Sequence, residues 1–163
     1  YFIRELTPRI ETSNEKKLVG KRLAMSFANF RIEELWRSFM PRRSEITNNL
    51  TSDLISLVVY KPTHFTDFKL TNEFERWATV EVANFENVPV GLETFVLPGV
   101  QYAVFQYKGL SSDNSIFQYI FGTWLPGSEY LLDDRPHFEV LGDKYKNNDP
   151  ASEEEIWIPI QPK

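Results

Sequence analysis

Apolar residues recur at Ile32, Leu35, Trp36, Phe39 and Met40, the i, i+3, i+4, i+7 and i+8 positions of one helical stripe. Asn29 is placed to cap that helix, Glu33 and Glu34 complement its positive end, and Pro41 stops it. A second helical stretch follows the cap residues Ser111-Ser112-Asp113. There Ile116, Phe117, Tyr119, Ile120, Phe121 and Trp124 cover a wider arc, which predicts apolar neighbours on two sides. Residues 54–60, 76–82, 91–96, 102–107, 136–141 and 155–160 have the length and the β-branched or aromatic content of strands. Pro98-Gly99 marks a tight turn, and Pro159 inside the last run predicts an edge strand.

The pattern repeats. Ile10-Glu11-Thr12 returns as Leu92-Glu93-Thr94 at an offset of 82, and Phe39-Met40-Pro41 as Trp124-Leu125-Pro126 at 85. The strand from Asp53 to Tyr60 aligns with Asp134 to Leu141 at 81, and Glu75-Arg76-Trp77 with Glu155-Ile156-Trp157 at 80. Four anchors in one order at a nearly constant offset indicate a tandem duplication of a roughly 80-residue unit. Each unit is a strand pair, a helix and two more strands, so the expected class is α+β with antiparallel sheets. The expectation is one domain over 1–163, with copies at about 8–84 and 90–163 and a pseudo-twofold ligand cleft between them.

Composition narrows the function. Among the 163 residues, 18 Lys and Arg face 23 Asp and Glu, a net charge of −5, and there is no Cys. A disulfide framework and thiolate chemistry are excluded, and the absence of Cys is compatible with a reducing compartment; with no apolar run long enough to span a membrane, the chain reads as soluble and cytoplasmic. Residues 1–80 carry 13 basic and 10 acidic groups, while 81–163 carry 5 and 13. The halves are thus +3 and −8, and the second should attract cations. No nucleic-acid-binding motif accompanies this acidic balance, so direct nucleic-acid binding is not expected. His64 and His137 stand far apart without a ligand spacing, and no phosphate-cradling glycine loop occurs, so neither a metal nor a cofactor is expected.

The informative positions are those where the copies differ. Val58 in the first becomes Glu139 in the second. Alternation puts His137, Glu139 and Leu141 on one face of their strand. Glu139 is either a solvated carboxylate or the counter-charge, or general base, of an aromatic-lined pocket. His137, Trp124, Tyr119, Phe121, Tyr60 and Trp36 are the candidate lining residues, since flat amphipathic rings suit aromatic and cationic ligands.

The segments Leu92-Glu93-Thr94, Tyr102-Ala103-Val104-Phe105, Phe117 to Pro126, Arg135-Pro136-His137-Phe138-Glu139 and Glu154-Glu155-Ile156-Trp157-Ile158-Pro159-Ile160 resemble the GyrI-like, or AraC-type effector-binding, family. The resemblance spans the chain and implies a duplicated α+β domain with a ligand cleft between its halves. It implies that Glu139 engages ligands, often cationic or aromatic drugs. One departure is Leu141, where family strands often carry Tyr. Many relatives are the sensory half of a transcription regulator, and the expectation for these 163 residues is a stand-alone member. A small-molecule binding module ranks first. A hydrolase of strained electrophiles using Glu139, and a protein-interaction role like that of gyrase-inhibiting members, are the alternatives.

Overall fold

The computed structural model describes residues 7–110, 114–146 and 149–163. Its strands are Arg9–Thr12 (β1), Lys16–Met25 (β2), Leu54–Val59 (β3), Phe74–Val82 (β4), Glu93–Leu97 (β5), Gln101–Lys108 (β6), Tyr130–Leu132 (β7), His137–Leu141 (β8) and Glu153–Pro162 (β9). They form a single antiparallel sheet in the order β1-β6-β9-β8-β3-β4-β2-β5, with β7 paired to the end of β9. The class is α+β, as the strand and helix patterns predict. The sheets are continuous because β3 pairs with β8 at the centre, Leu57 facing Phe138.

The opening strands correct one expectation. β1 and β2 follow one another but do not pair; β1 pairs with β6, Arg9 opposite Val104, and β5 pairs with β2, Gly20 opposite Glu93. The connections β1–β2 and β5–β6 cross, where the Ser13 N–H donates to the Val100 carbonyl at 2.9 Å. Gly99 is required at that crossing, because a Cβ there would lie 2.6 Å from the Ser13 carbonyl oxygen. Pro159 is corrected too: β9 lies between β6 and β8, not at an edge. Pro159 is tolerated because β8 pairing ends at Trp157 and β7 pairing begins at Ile160, so its missing N–H falls in the gap.

One face carries both helices. In α1, Ile32–Phe39, Leu35 and Phe39 are buried against Val19, Met25, Phe74 and Val80 of β2 and β4. The helix is capped at Arg31 rather than Asn29, which instead bonds back to Ser26, and Arg31 pairs bidentately with Glu34. Beyond Phe39 the chain continues as a 3₁₀ turn, Met40–Glu45, which leaves Met40 exposed and puts Pro41 near its start, where no N–H is needed. The second helix, α2, is Ser115–Tyr119 and continues as a π-helical turn over Ile120–Trp124, with the Leu125 N–H donating to the Ile120 carbonyl at 2.8 Å. Its expected caps, Ser111-Ser112-Asp113, lie outside the described residues. The wider π turn spreads side chains around the axis, which accounts for the broad apolar arc. Ile116 and Ile120 are buried on Phe105, Ile156 and Ile158 of β6 and β9.

The helix-free face has its own core. Leu18, Leu57, Tyr102, Phe138 and Trp77 are buried there, and Phe138 stacks on Trp157 with centroids 5.0 Å apart. Two matching clusters frame it: Trp77 with Glu75, Glu93 and Arg22, and Trp157 with Glu155, Glu11 and Arg9.

Candidate functional site

Leu57 and Phe138 turn to the helix-free face, so Ser56, Val58, His137 and Glu139 turn to the other. They lie along the strip between the ground covered by α1 and that covered by α2. Arg76 comes from β4, opposite Val58. Glu154 comes from β9, diagonal to Glu139, whose direct partner is Ile156. Four polar side chains, Ser56, Arg76, Glu139 and Glu154, thus converge on a face that is otherwise packed with apolar groups.

Their bonding is incomplete. Arg76 donates from Nη2 to the Ser56 hydroxyl at 2.8 Å, yet its Nε is buried without a partner. Glu154 is only 8% exposed and its Oε2 is also unpartnered. Burial drives the Glu154 carboxyl up to about 9, and the charge of Glu139 and a hydrogen bond to it add to the rise against the opposing pull of Arg76. Of the two neighbouring carboxyls, Glu154 is thus the one pushed towards its protonated form. His137 is pushed down to about 3 by burial, with His64 and Arg76 adding to the effect, so it is a neutral imidazole. Burial also raises the Tyr60 hydroxyl.

An aromatic layer lies beside these groups. Tyr60 meets His137 edge-on at 5.0 Å, and Phe65 stacks on both Phe121 and His137, at 5.8 and 6.1 Å. Phe65 belongs to the β3–β4 connection, which is held by local turn bonds within 61–72 and by the Ala28 N–H donating to the Leu70 carbonyl. Next to it His64 is 2% exposed, with neither ring nitrogen hydrogen-bonded. Its ring lies against Phe27, Tyr60, Phe65, Phe68 and Phe74. Burial lowers its pKa. A hollow of about 350 Å³ opens beside Tyr60 and Phe74, and one of about 470 Å³ beside Arg43 and Asn49; neither is lined by Glu139.

Of the residues singled out in the sequence, Glu139, His137, Tyr60 and Phe121 are brought together. Trp124 is placed elsewhere, edge-on to Phe105 at 5.2 Å and stacked on Tyr130. Tyr119 packs in that same α2 core, and Trp36 packs edge-on against Phe39 under α1. Sequence reasoning missed Arg76 and Glu154. Both carried the signal that picked out Glu139: at the offset of 80, Arg76 corresponds to Ile156 and Phe74 to Glu154. Among the described residues no three His, Asp or Glu side chains converge to hold a metal, and no helix is long and apolar enough to cross a membrane.

Comparison with known proteins agrees with the fold. Residues 9–160 match the family described as integron-associated effector binding protein. The transcriptional regulator BrlR of Pseudomonas aeruginosa is 28% identical over 163 residues, covering 97% of this chain and 57% of its own. The chain thus spans a little over half the length of that relative. Among solved structures, the EcmrR C-terminal domain superposes with a TM-score of 0.70 at 17% identity, covering 98% of this chain and 99% of that one. SAV2435 bound to tetraphenylphosphonium superposes with a TM-score of 0.68 at 15% identity, covering 94% and 93%.

Proposed function

Because the chain belongs to the integron-associated effector-binding protein family, we propose that it binds a small organic ligand, aromatic and cationic, over the strip between α1 and α2. Glu139 is the counter-charge, and Tyr60, His137 and Phe121 form the aromatic wall. The observation that carries this reading is the convergence of Glu139, Glu154, Arg76 and Ser56 on that strip with buried polar atoms left unpartnered. Such atoms cost free energy when left unpaired and are satisfied by a ligand's polar groups or by water that comes with it. Phe65 stands over the strip and is the group that must swing aside. The phosphonium ion named with SAV2435 is of the proposed class, and the kinship with BrlR supports a signalling rather than a metabolic outcome of binding.

A duplicated framework is part of the same reading, and the pairing registers support it. A twofold exchange that shifts β3 by 81 maps the Ser56–Glu139 pair onto Val58–His137, also a pair, and Leu57–Phe138 onto itself. Shifts of 82 for β2 and 80 for β4 carry Arg22–Trp77 onto Val104–Trp157, again a pair. The strand order reads the same in both directions under that exchange. The cleft lies on this axis, and its polar groups are where the copies depart from one another.

The test is a tetraphenylphosphonium titration of wild type and Glu139→Gln, followed by tryptophan fluorescence and thermal shift. Ligand at 100 times its Kd stabilises by about 2.7 kcal/mol, and a chain of this size gains roughly 2 to 4 °C per kcal/mol. A rise of several degrees that collapses in Glu139→Gln is expected. Equal shifts in both proteins, or none across a panel of aromatic cations, would overturn the reading. If an electrophilic compound in the panel is converted to product by wild type but not by Glu139→Gln, the hydrolase alternative replaces it.

A further inference from the structure

Glu139 and Glu154 lie on neighbouring strands of the same face, diagonal to one another, and Glu154 is nearly enclosed with its Oε2 unpartnered. Two ionised carboxylates so placed repel one another, and with water largely excluded one proton on the pair removes that repulsion. Glu154 is the one that holds it. It is nearly enclosed, while Glu139 is half-buried, and the charged form is disfavoured more at the drier position. The groups that face Glu154 from the packed strands are Tyr107, directly opposite on β6, Glu139 on β8 and Arg76 on β4. With the proton on Glu154, one carboxylate faces one guanidinium and the site sums to zero.

A cation placed against Glu139 cancels the repulsion that keeps Glu154 protonated, and its own field favours a second negative charge. Resting on the proposed binding role, we propose that the site takes up an organic monocation in exchange for the proton of Glu154. The Glu154 O–H bond breaks, its electron pair stays on the carboxylate, and the proton passes to solvent or buffer. The cation and Arg76 then balance the two carboxylates, so the charge of the site is zero after binding, as it was before. His137 and His64 are held neutral by burial near pH 7 and do not supply the proton. A neutral aromatic of similar bulk enters with no exchange.

The exchange is tested in two steps that separate it from the binding role. First, infrared spectroscopy of the ligand-free protein at pH 7 should give the carbonyl stretch of a protonated carboxyl group, absent in Glu154→Gln. Absence of that band from wild type overturns the exchange whatever binds. Second, the permanent monocation used above is titrated calorimetrically in two buffers of different ionisation enthalpy. Close to one proton should be released per cation bound, with affinity rising roughly tenfold per pH unit between pH 6 and 8. Glu154→Gln, a neutral stand-in for the protonated side chain, should bind without release and without pH dependence, and triphenylphosphine oxide should bind wild type without release. Cation binding with no proton release overturns the exchange and leaves the binding role standing. Failure of every aromatic cation to bind overturns both.

Discussion

The two halves of the central sheet share a frame and differ in its filling. On the first, β3 and β4 present Ser56, Val58, Phe74 and Arg76 to the helix-bearing face; on the second, β8 and β9 present His137, Glu139, Glu154 and Ile156 at the corresponding places. Both acids fall in one half and the guanidinium in the other. Away from the centre the halves agree: each pairs a tryptophan with two glutamates and an arginine, Trp77 with Glu75, Glu93 and Arg22, and Trp157 with Glu155, Glu11 and Arg9. The glutamates are at matching positions and the arginines are not. The two tryptophan clusters match, whereas the central strip, where a ligand is proposed to bind, differs in charge from one half to the other.

The sharpest test of a shared frame is at its midpoint. Leu57→Ala should destabilise by about 2 to 5 kcal/mol and Phe138→Ala by about 3 to 5 kcal/mol, measured by chemical denaturation. Each is almost fully buried in the same helix-free core, so a small effect at one and a large effect at the other would break the equivalence. A position where the halves diverge should respond on one side only. Gly20 corresponds to Tyr102 at the offset of 82, and a Cβ on Gly20 would collide with the Ala78 carbonyl oxygen, whereas Tyr102 is seated with its hydroxyl donating to the Pro136 carbonyl. Gly20→Ala should therefore cost about 1 to 3 kcal/mol, as overpacking does, and an unchanged midpoint would mean β2 and β4 are spaced as β6 and β9 are.

A graded effect is in the slope of stability with pH, up to about 1.4 kcal/mol per unit from any one group. Glu154 binds its proton more tightly folded than unfolded, so the stability it confers is complete below about pH 4.5 and is lost as pH rises towards 9. His137 behaves in the opposite sense: its contribution is complete above about 6.5 and is lost as pH falls towards 3. Glu154→Gln should flatten the alkaline limb of the curve and His137→Phe the acid limb. Denaturation series at half-unit intervals would separate them, and an unchanged alkaline limb in Glu154→Gln would remove the proton assigned to that residue.

Much of this arrangement is legible in the residues themselves. The stripe Leu35, Phe39 gives α1, alternation gives the faces of β3 and β8, and comparing positions 58 and 139 isolates Glu139. Arg76 is hidden because Glu75-Arg76-Trp77 reads as a strand with a solvated side, and Glu154 because Glu153-Glu154-Glu155 reads as a charged run. Only the strand order β9-β8-β3-β4 sets both beside Glu139, and pairings so far apart along the chain have no local signature. The displaced cap of α1 and the π turn after α2 depend on one or two backbone hydrogen bonds, a level of detail that periodicity does not encode.

The crossing of the two opening strands governs the order in which this molecule can be assembled. β1 has no partner until residues 101–104 of β6 exist, and residues 16–20 of β2 wait for β5. Synthesis must therefore run past residue 93 before either contact closes, and topologies dominated by such distant pairings fold in milliseconds to seconds rather than microseconds. Cutting the chain between β4 and β5 parts β1 from β6 and β2 from β5, so each separated piece exposes bare sheet edges.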